Sequence, residues 1–172
     1  MTQFVASPRS EIIGQAIMTM AESGGVFKRR IYDILADCGI KNIEPTGWYP
    51  VQFWLDALKI VQHRIGANTL FLMGKEVALT AQTPPTVNSI ETAFAMFPAI
   101  YSMNHRPPQA MSWRIQKLGE REYRLTNLSP YPHEFNRGIT VGFAEKFKPK
   151  GAVLSVVTER EDNETADYHV MW

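Results

Sequence analysis

Apolar residues recur every three or four positions through the first 105 residues, which is the period of an amphipathic helix. In residues 9–22, for example, Ile12, Ile13, Ala16, Ile17 and Met20 fall on one face. The same pattern predicts further helices at residues 26–38, 50–65, 68–81 and 89–104. Five helices are therefore expected before the period changes.

Glycine and proline delimit these helices. Gly39 and Gly66 supply stops, and Pro50 fits a first helical turn, where its missing amide hydrogen would have no intrahelical partner. Pro98 lies inside the fifth helix and is expected to kink or split it, because it removes a backbone hydrogen bond. Residues 40–49 show no periodicity and are predicted to form a loop.

After Pro108 the apolar residues alternate with polar ones, as in a strand with one covered face. Met111, Trp113 and Ile115 alternate in this way, and a hairpin at residues 117–120 leads into a return strand. A helix at residues 133–148 follows, and then strands at residues 152–158 and 166–172. The C-terminal half is therefore predicted to run hairpin, helix, hairpin.

The predicted fold class is α+β, with N-terminal helices packed on one face of an antiparallel sheet. A chain of 172 residues is long enough for one domain and short for two. We expect a single domain over residues 1–172, in which residues 1–45 form an N-terminal helical extension and residues 46–172 form the α+β core.

Charge and cysteine content exclude several classes of protein. The net charge is +1 and the longest basic run is Lys28-Arg29-Arg30, so no nucleic-acid-binding surface is predicted and this run is interpreted as a solvated helix face. The single cysteine, Cys38, cannot form an internal disulfide and is interpreted as a small core residue. Without a signal-peptide pattern or an apolar run of spanning length, we expect a cytoplasmic protein with no membrane span.

The helix at residues 133–148 carries the strongest candidates for polar recognition. His133 lies in its first turn, where outward amides can hold an anion, and Arg137 lies one turn further on the same side. The competing interpretation is that His133 and Glu134 cap the helix while Arg137 pairs with a carboxylate. Gly138 and Gly142 indicate close approach to another backbone or to a ligand, or tight packing on the sheet.

Aromatic residues are the candidates for an apolar wall. Trp48, Trp54, Phe97 and Trp113 could line a cavity between helices and sheet, although ordinary core packing explains them as well. The four histidines lack metal-site spacing, so no metal site is predicted. No catalytic motif is present, no catalytic residue is assigned, and an enzyme ranks below a binding domain.

The element order resembles the fold shared by haem NO-binding sensor domains, 4-vinyl reductase domains and the small TRAPP trafficking subunits. The resemblance extends loosely over residues 46–172. It is carried by the segments Gly47-Trp48-Tyr49-Pro50, Ile65-Gly66, Ile100-Tyr101, Ser112-Trp113-Arg114, Tyr123 to Leu128, Pro130-Tyr131-Pro132 and Arg137 to Ala144.

Departures from these families are equally specific. A haem NO-binding domain would need a proximal histidine ahead of Tyr101, where Phe94 and Phe97 stand, and its tyrosine-x-serine-x-arginine clamp is replaced by Leu128-Ser129-Pro130-Tyr131. Haem binding by that route is not expected, and no cofactor is assigned. The cysteines common in 4-vinyl reductase domains are missing from residues 156–172.

Two functions follow from the resemblance. The first is a sensory or regulatory domain that binds a small hydrophobic ligand, with Trp48, Trp54, Phe97 and Trp113 as walls and His133 and Arg137 as anchors. The second is a protein-interaction scaffold without ligand, built as a homodimer through the N-terminal helices, as the TRAPP resemblance implies. A homodimer is compatible with either function.

Overall fold

A computed structural model describes residues 3–107 and 112–172 of the chain. The helices are α1 (Gly14–Glu22), α2 (Lys28–Asp37), α3 (Val51–Arg64), α4 (Ala67–Thr80), α5 (Ile90–Ala95), α6 (Phe97–Asn104) and α7 (His133–Phe147). The strands are β1 (Glu11–Ile13), β2 (Trp48–Pro50), β3 (His105–Arg106), β4 (Trp113–Gly119), β5 (Glu122–Asn127), β6 (Ser155–Glu161) and β7 (Ala166–Met171). Helices and antiparallel strands in this order confirm the predicted α+β fold class.

The C-terminal strands form an antiparallel sheet in the order β4-β5-β7-β6. Its register pairs Leu125 with both Ile115 and Tyr168, so apolar side chains from neighbouring strands share one face. Helices α5, α6 and α7 cover that face, and the opposite face carries polar pairs such as Arg124 and Glu159. The hairpin, helix, hairpin order is therefore confirmed, although Met111 lies outside the described residues.

A second, small sheet in the order β2-β1-β3 was not predicted. Ile12 and Ile13 were assigned to the first helix, yet they form β1, which pairs with Tyr49 and Trp48 of β2. Strands of two or three residues are too short to show alternation, so the periodicity could not separate them from helix or loop. The predicted division of the fifth helix is confirmed, because α5 ends at Ala95 and Pro98 lies in the first turn of α6.

Two apolar cores lie on either side of α7. The first gathers buried residues of α1 to α4, such as Ile17, Leu35 and Trp54, together with Phe135 of α7. The second lies between the helices and the large sheet and includes Phe143 of α7. Helix α7 is consequently buried on two sides. The predicted boundary at residue 45 stays a prediction, since residues from both sides of it share the first core.

Glycines allow α4 and α7 to touch backbone to backbone. A Cβ atom on Gly74 would meet the carbonyl oxygen of Phe135, and one on Gly138 would meet that of Phe71. A Cβ atom on Gly142 would lie 2.5 Å from the carbonyl oxygen of Lys75. Of the alternatives for Gly138 and Gly142, the structure shows close approach to another backbone. The alternative prediction, that this glycine face packs on the sheet, was wrong because the face packs on α4.

Replacement of Gly74 by alanine is expected to destabilise the protein by about 1–3 kcal/mol, because overpacking against a backbone outweighs the ~1 kcal/mol gain in helix propensity. The free energy of unfolding from urea titration measures this change. Asn68→Ala, at an exposed position of the same helix, is the control and should change stability little. Equal stability of Gly74→Ala and the native protein would contradict the close contact.

Candidate functional site

Polar side chains are buried where α7 begins, at the seam between the two cores. Each of these residues is at most 6% exposed. We call this group the buried polar cluster, and it consists of His105, Asn127, Ser129, Tyr131, His133 and Asn136. Burial of polar groups costs free energy unless hydrogen bonds satisfy them, so the partners of each group decide what the cluster can do.

His105 follows α6 directly and uses both of its ring nitrogens. Its Nδ1 lies 2.7 Å from the carbonyl oxygen of Tyr101, and its Nε2 lies 2.8 Å from Oη of Tyr131. Since a carbonyl only accepts, Nδ1 carries the hydrogen and Nε2 accepts from the Tyr131 hydroxyl. The ring also stacks on Tyr101 at a centroid distance of 4.0 Å. His105 is therefore a neutral link between α6 and the segment before α7.

Burial determines the protonation states of His105 and Tyr131. Burial lowers the pKa of His105 from its ordinary value of 6.5 to about 4, against a smaller raising effect of the Tyr101 carbonyl. Burial likewise raises the pKa of the Tyr131 hydroxyl well above its ordinary value. The pair therefore stays uncharged over the physiological range, as its position between two apolar cores requires.

Asn127 organises the turn that precedes α7. Its Oδ1 accepts hydrogen bonds from the backbone nitrogen of Ser129 at 3.0 Å and from Ser129 Oγ at 2.8 Å. Asn136, one turn into α7, donates to Ser129 Oγ at 3.3 Å and to the carbonyl oxygen of Tyr131 at 3.2 Å. These bonds fix the turn and with it the position of the Tyr131 hydroxyl.

His133 lies in the first turn of α7 but faces inward. Its Nε2 donates to the carbonyl oxygen of Asp162 at 2.8 Å, and its Nδ1 lies 3.4 Å from Nδ2 of Asn127. The hydroxyl of Tyr168 donates to the His133 carbonyl at 2.8 Å. His133 is only 2% exposed, so it ties the helix to the β6–β7 connection.

Arg137 pairs within its own helix. Its Nη2 lies 2.7 Å from Oε2 of Glu134, and its guanidinium lies over the Phe71 ring, 4.2 Å from the centroid. This matches the competing interpretation, in which Arg137 pairs with a nearby carboxylate. The capping part of that interpretation is wrong, because Pro132 is the N-cap and the backbone nitrogen of His133 donates to Oε1 of Gln3 at 3.3 Å instead.

The aromatic candidates divide between the two cores. Phe97 and Trp113 touch at a centroid distance of 5.1 Å in the second core, and Phe143 lies 5.3 Å from Phe97. Trp54 is fully buried in the first core, and its Nε1 has no hydrogen-bond partner among the described residues. Trp48 is partly exposed on β2, with Arg106 4.4 Å above its ring.

The structure therefore brings Phe97 and Trp113 together, but it does not gather all six predicted ligand-binding residues around one cavity. Two surface depressions, of about 580 and 340 Å³, are lined by none of the six. Contact of these six residues with a ligand stays a prediction. Tyr101, His105 and Tyr131 were not predicted as site residues, although the four-residue spacing of Tyr101 and His105 before Pro107 was a usable signal. Tyr131 lies 26 residues from His105 and could not be paired with it by spacing.

Neither a protein-family profile nor a curated protein matches this chain. Solved structures do match. An unliganded Fe(II) H-NOX protein from K. algicida superposes with a TM-score of 0.67 at 12% identity, covering 93% of this chain and 96% of that one. An oxygen-binding H-NOX domain related to soluble guanylate cyclases superposes with a TM-score of 0.67 at 11% identity, covering 92% of this chain and 93% of that one. A point mutant of the T. Tengcongensis H-NOX protein gives 0.67 at 12% identity, covering 92% and 96%.

These matches show that the chain has the H-NOX fold over almost its whole length. The predicted resemblance to haem NO-binding domains is confirmed at the level of the fold, and it includes the N-terminal helices that were left outside it. No helix in the described ranges is long and apolar enough to cross a bilayer. Within the same ranges, no three His, Cys, Asp or Glu residues come together as metal ligands.

The fold raises the question of whether this seam fits a haem, whose iron needs an uncommitted axial donor such as a histidine nitrogen or a thiolate or tyrosine oxygen. Both ring nitrogens of His105 and of His133 are engaged, and the Tyr131 hydroxyl donates to His105. Burial raises the pKa of Tyr101, which keeps its hydroxyl protonated, and Cys38 packs against the first core. The residues at this seam do not fit a haem.

Stability is expected to fall as pH decreases from 6.5 towards 4 because of His105. Its pKa is lower in the folded state than in the unfolded state, so the unfolded chain binds more protons in this window. The free energy of unfolding is unaffected by His105 above pH 6.5, and protonation of His105 in the unfolded chain lowers it by about 3 kcal/mol by pH 4. Urea unfolding at a series of pH values should show this slope in the native protein but not in His105→Gln. His63→Gln, which removes an exposed histidine, is the control and should keep the slope.

Proposed function

We propose that this chain is a sensory or regulatory domain that binds a small, mostly hydrophobic ligand under helix α6. The observation that carries the proposal is how α6 is held. Phe97 is its one buried residue, while Ile100 and Tyr101 are half-buried against the second and first cores and His105 follows its C-terminal end. We expect a short helix with one buried side chain to open at lower free energy than the rest of the fold.

The surroundings of α6 have the composition of a ligand site. Phe97, Trp113 and Phe143 offer apolar walls, and His105 with Tyr131 offers one polar end. Small-molecule sites commonly combine an apolar lining with a few placed polar groups. A ligand that displaces the Phe97 ring from Trp113 would occupy a space comparable to one aromatic ring or a short acyl chain, which is smaller than a porphyrin.

The small sheet supplies a route from this site to the rest of the domain. His105 belongs to β3, which pairs with β1 immediately before α1. Arg106 of the same strand bonds Glu11 at 2.6 Å and lies over Trp48 of β2. A ligand that shifts α6 would therefore shift β3 and the strands that lead into α1 and α3. Trp48 acts in this proposal as part of the response, while His133 holds α7 in place. Solved H-NOX structures include an oxygen-binding domain, which agrees with a sensory role for the fold.

We expect the purified protein to bind one equivalent of an apolar probe with a single polar group, tested with indole, phenol and octanoate by isothermal titration calorimetry. Tyr131→Phe should weaken this binding about tenfold, because a lost hydrogen bond to a ligand corresponds to roughly 1.4 kcal/mol. Tyr123→Phe is the matched control, since it removes the hydroxyl of another buried tyrosine, on strand β5 in the second core, and should leave affinity unchanged.

Native mass spectrometry of the purified protein tests the same proposal without a chosen probe. A copurified small molecule that is lost from Tyr131→Phe would support it. Bare polypeptide, together with no heat of binding for any of the three probes, would contradict it. The scaffold function would then lead, and sedimentation velocity would test the homodimer, which stays a prediction.

A further inference from the structure

The turn between α1 and α2 exposes apolar side chains beside a run of basic ones. Val26 is 94% exposed and Phe27 is 39% exposed. Lys28, Arg29 and Arg30 follow directly, and all three are exposed. We call residues 26–30 the basic tip. Exposed apolar side chains are common singly, but an apolar pair bordered by three cations is a distinct chemical surface.

The turn is built so that Val26 stands outermost. Gly24 is buried against Ile31, and a Cβ atom at Gly24 would clash with Cδ1 of Ile31. Gly25 has a φ of +57° and has nothing within 4 Å of the position of a Cβ atom, so the chain turns in open space. The backbone nitrogen of Phe27 donates to the Gly24 carbonyl at 3.1 Å, which closes the turn. The exposure of Val26 therefore follows from an ordered turn.

The charge of the tip is positive. Glu22 bonds Lys28 at 2.8 Å and accepts a hydrogen bond from the Tyr32 hydroxyl at 3.0 Å. Within the described chain, Arg29 and Arg30 have no ion-pair partner. Residues 22–32 hold three basic groups and one acidic group, a net charge of 3 − 1 = +2, and Asp33 is the next acidic residue.

We propose that the basic tip docks on the surface of a bilayer that contains anionic lipids. Val26 and Phe27 enter the headgroup region, and Arg29 and Arg30 bind lipid phosphates. Stable surface binding needs an apolar and an electrostatic contribution together, and the tip offers both within five consecutive residues. A protein partner or a second copy would need about 800 Å² of surface on each side, whereas the apolar part of this tip is two side chains.

Cosedimentation of the full chain with vesicles tests the proposal, using phosphatidylcholine alone or mixed with phosphatidylglycerol. Binding is expected only to the mixed vesicles and should weaken with salt. Arg29→Gln with Arg30→Gln should reduce the partition coefficient about 25-fold, at roughly fivefold for each charge near the surface. Val26→Ser with Phe27→Ser should reduce it at least about tenfold, since both side chains lose apolar burial.

Two matched controls separate the tip from general attraction. Arg121→Gln with Lys150→Gln removes the same charge from exposed positions elsewhere, and Val153→Ser removes an apolar side chain that is 85% exposed. Both should bind like the native chain. No binding to mixed vesicles, or equal losses in tip and control variants, would overturn the proposal. So would a native dimer that Val26→Ser with Phe27→Ser dissociates, because the tip would then contact a second copy.

Discussion

The contact between α4 and α7 is the constraint on which the rest of the fold depends. Three glycines, Gly74, Gly138 and Gly142, let the two backbones meet without intervening side chains. Helix α7 can therefore bury Phe135 in the helical core and Phe143 against the sheet at once. A larger side chain at the contact would separate the layers, since protein interiors are packed too densely to absorb it. The separation of helices and sheet, and hence the width of the seam between them, is set here.

The buried polar cluster occupies that seam and makes its geometry specific. Polar groups placed between two apolar cores must find their partners from different segments, and here they come from α6, the turn before α7, α7 itself and the β6–β7 connection. Each ring nitrogen of His105 and His133 is used in doing so. Because hydrogen bonds within the seam use all four ring nitrogens, none of them is left to coordinate a metal or a haem iron. A chain with the H-NOX fold can thus use this seam for a structural network.

The two proposals concern opposite features of the molecule. The proposed ligand site depends on the buried surroundings of α6, a helix that is held by Phe97, by the half-buried Ile100 and Tyr101, and by the neutral pair of His105 and Tyr131 that follows it. The proposed membrane contact depends on an exposed turn between α1 and α2 that touches neither core with Val26. The small sheet connects the first to the start of α1, and α1 ends at the turn that carries the second. Helix α1 consequently lies between the element expected to move and the surface expected to dock.

The sequence by itself determined the long elements and their order. Residues of α3, α7 and β7 repeat their local pattern often enough to be recognised, because a helical or alternating period needs several turns or pairs to show. Pro98 predicted the break between α5 and α6, because proline lacks the backbone hydrogen-bond donor. The strands β1 to β3 and the pairing of His105 with Tyr131 were decided only by the tertiary structure. They join residues distant along the chain, and the local pattern of a sequence carries no information about which distant groups meet. The direction of the glycine face of α7 was decided in the same way, since glycine permits close approach without specifying the partner.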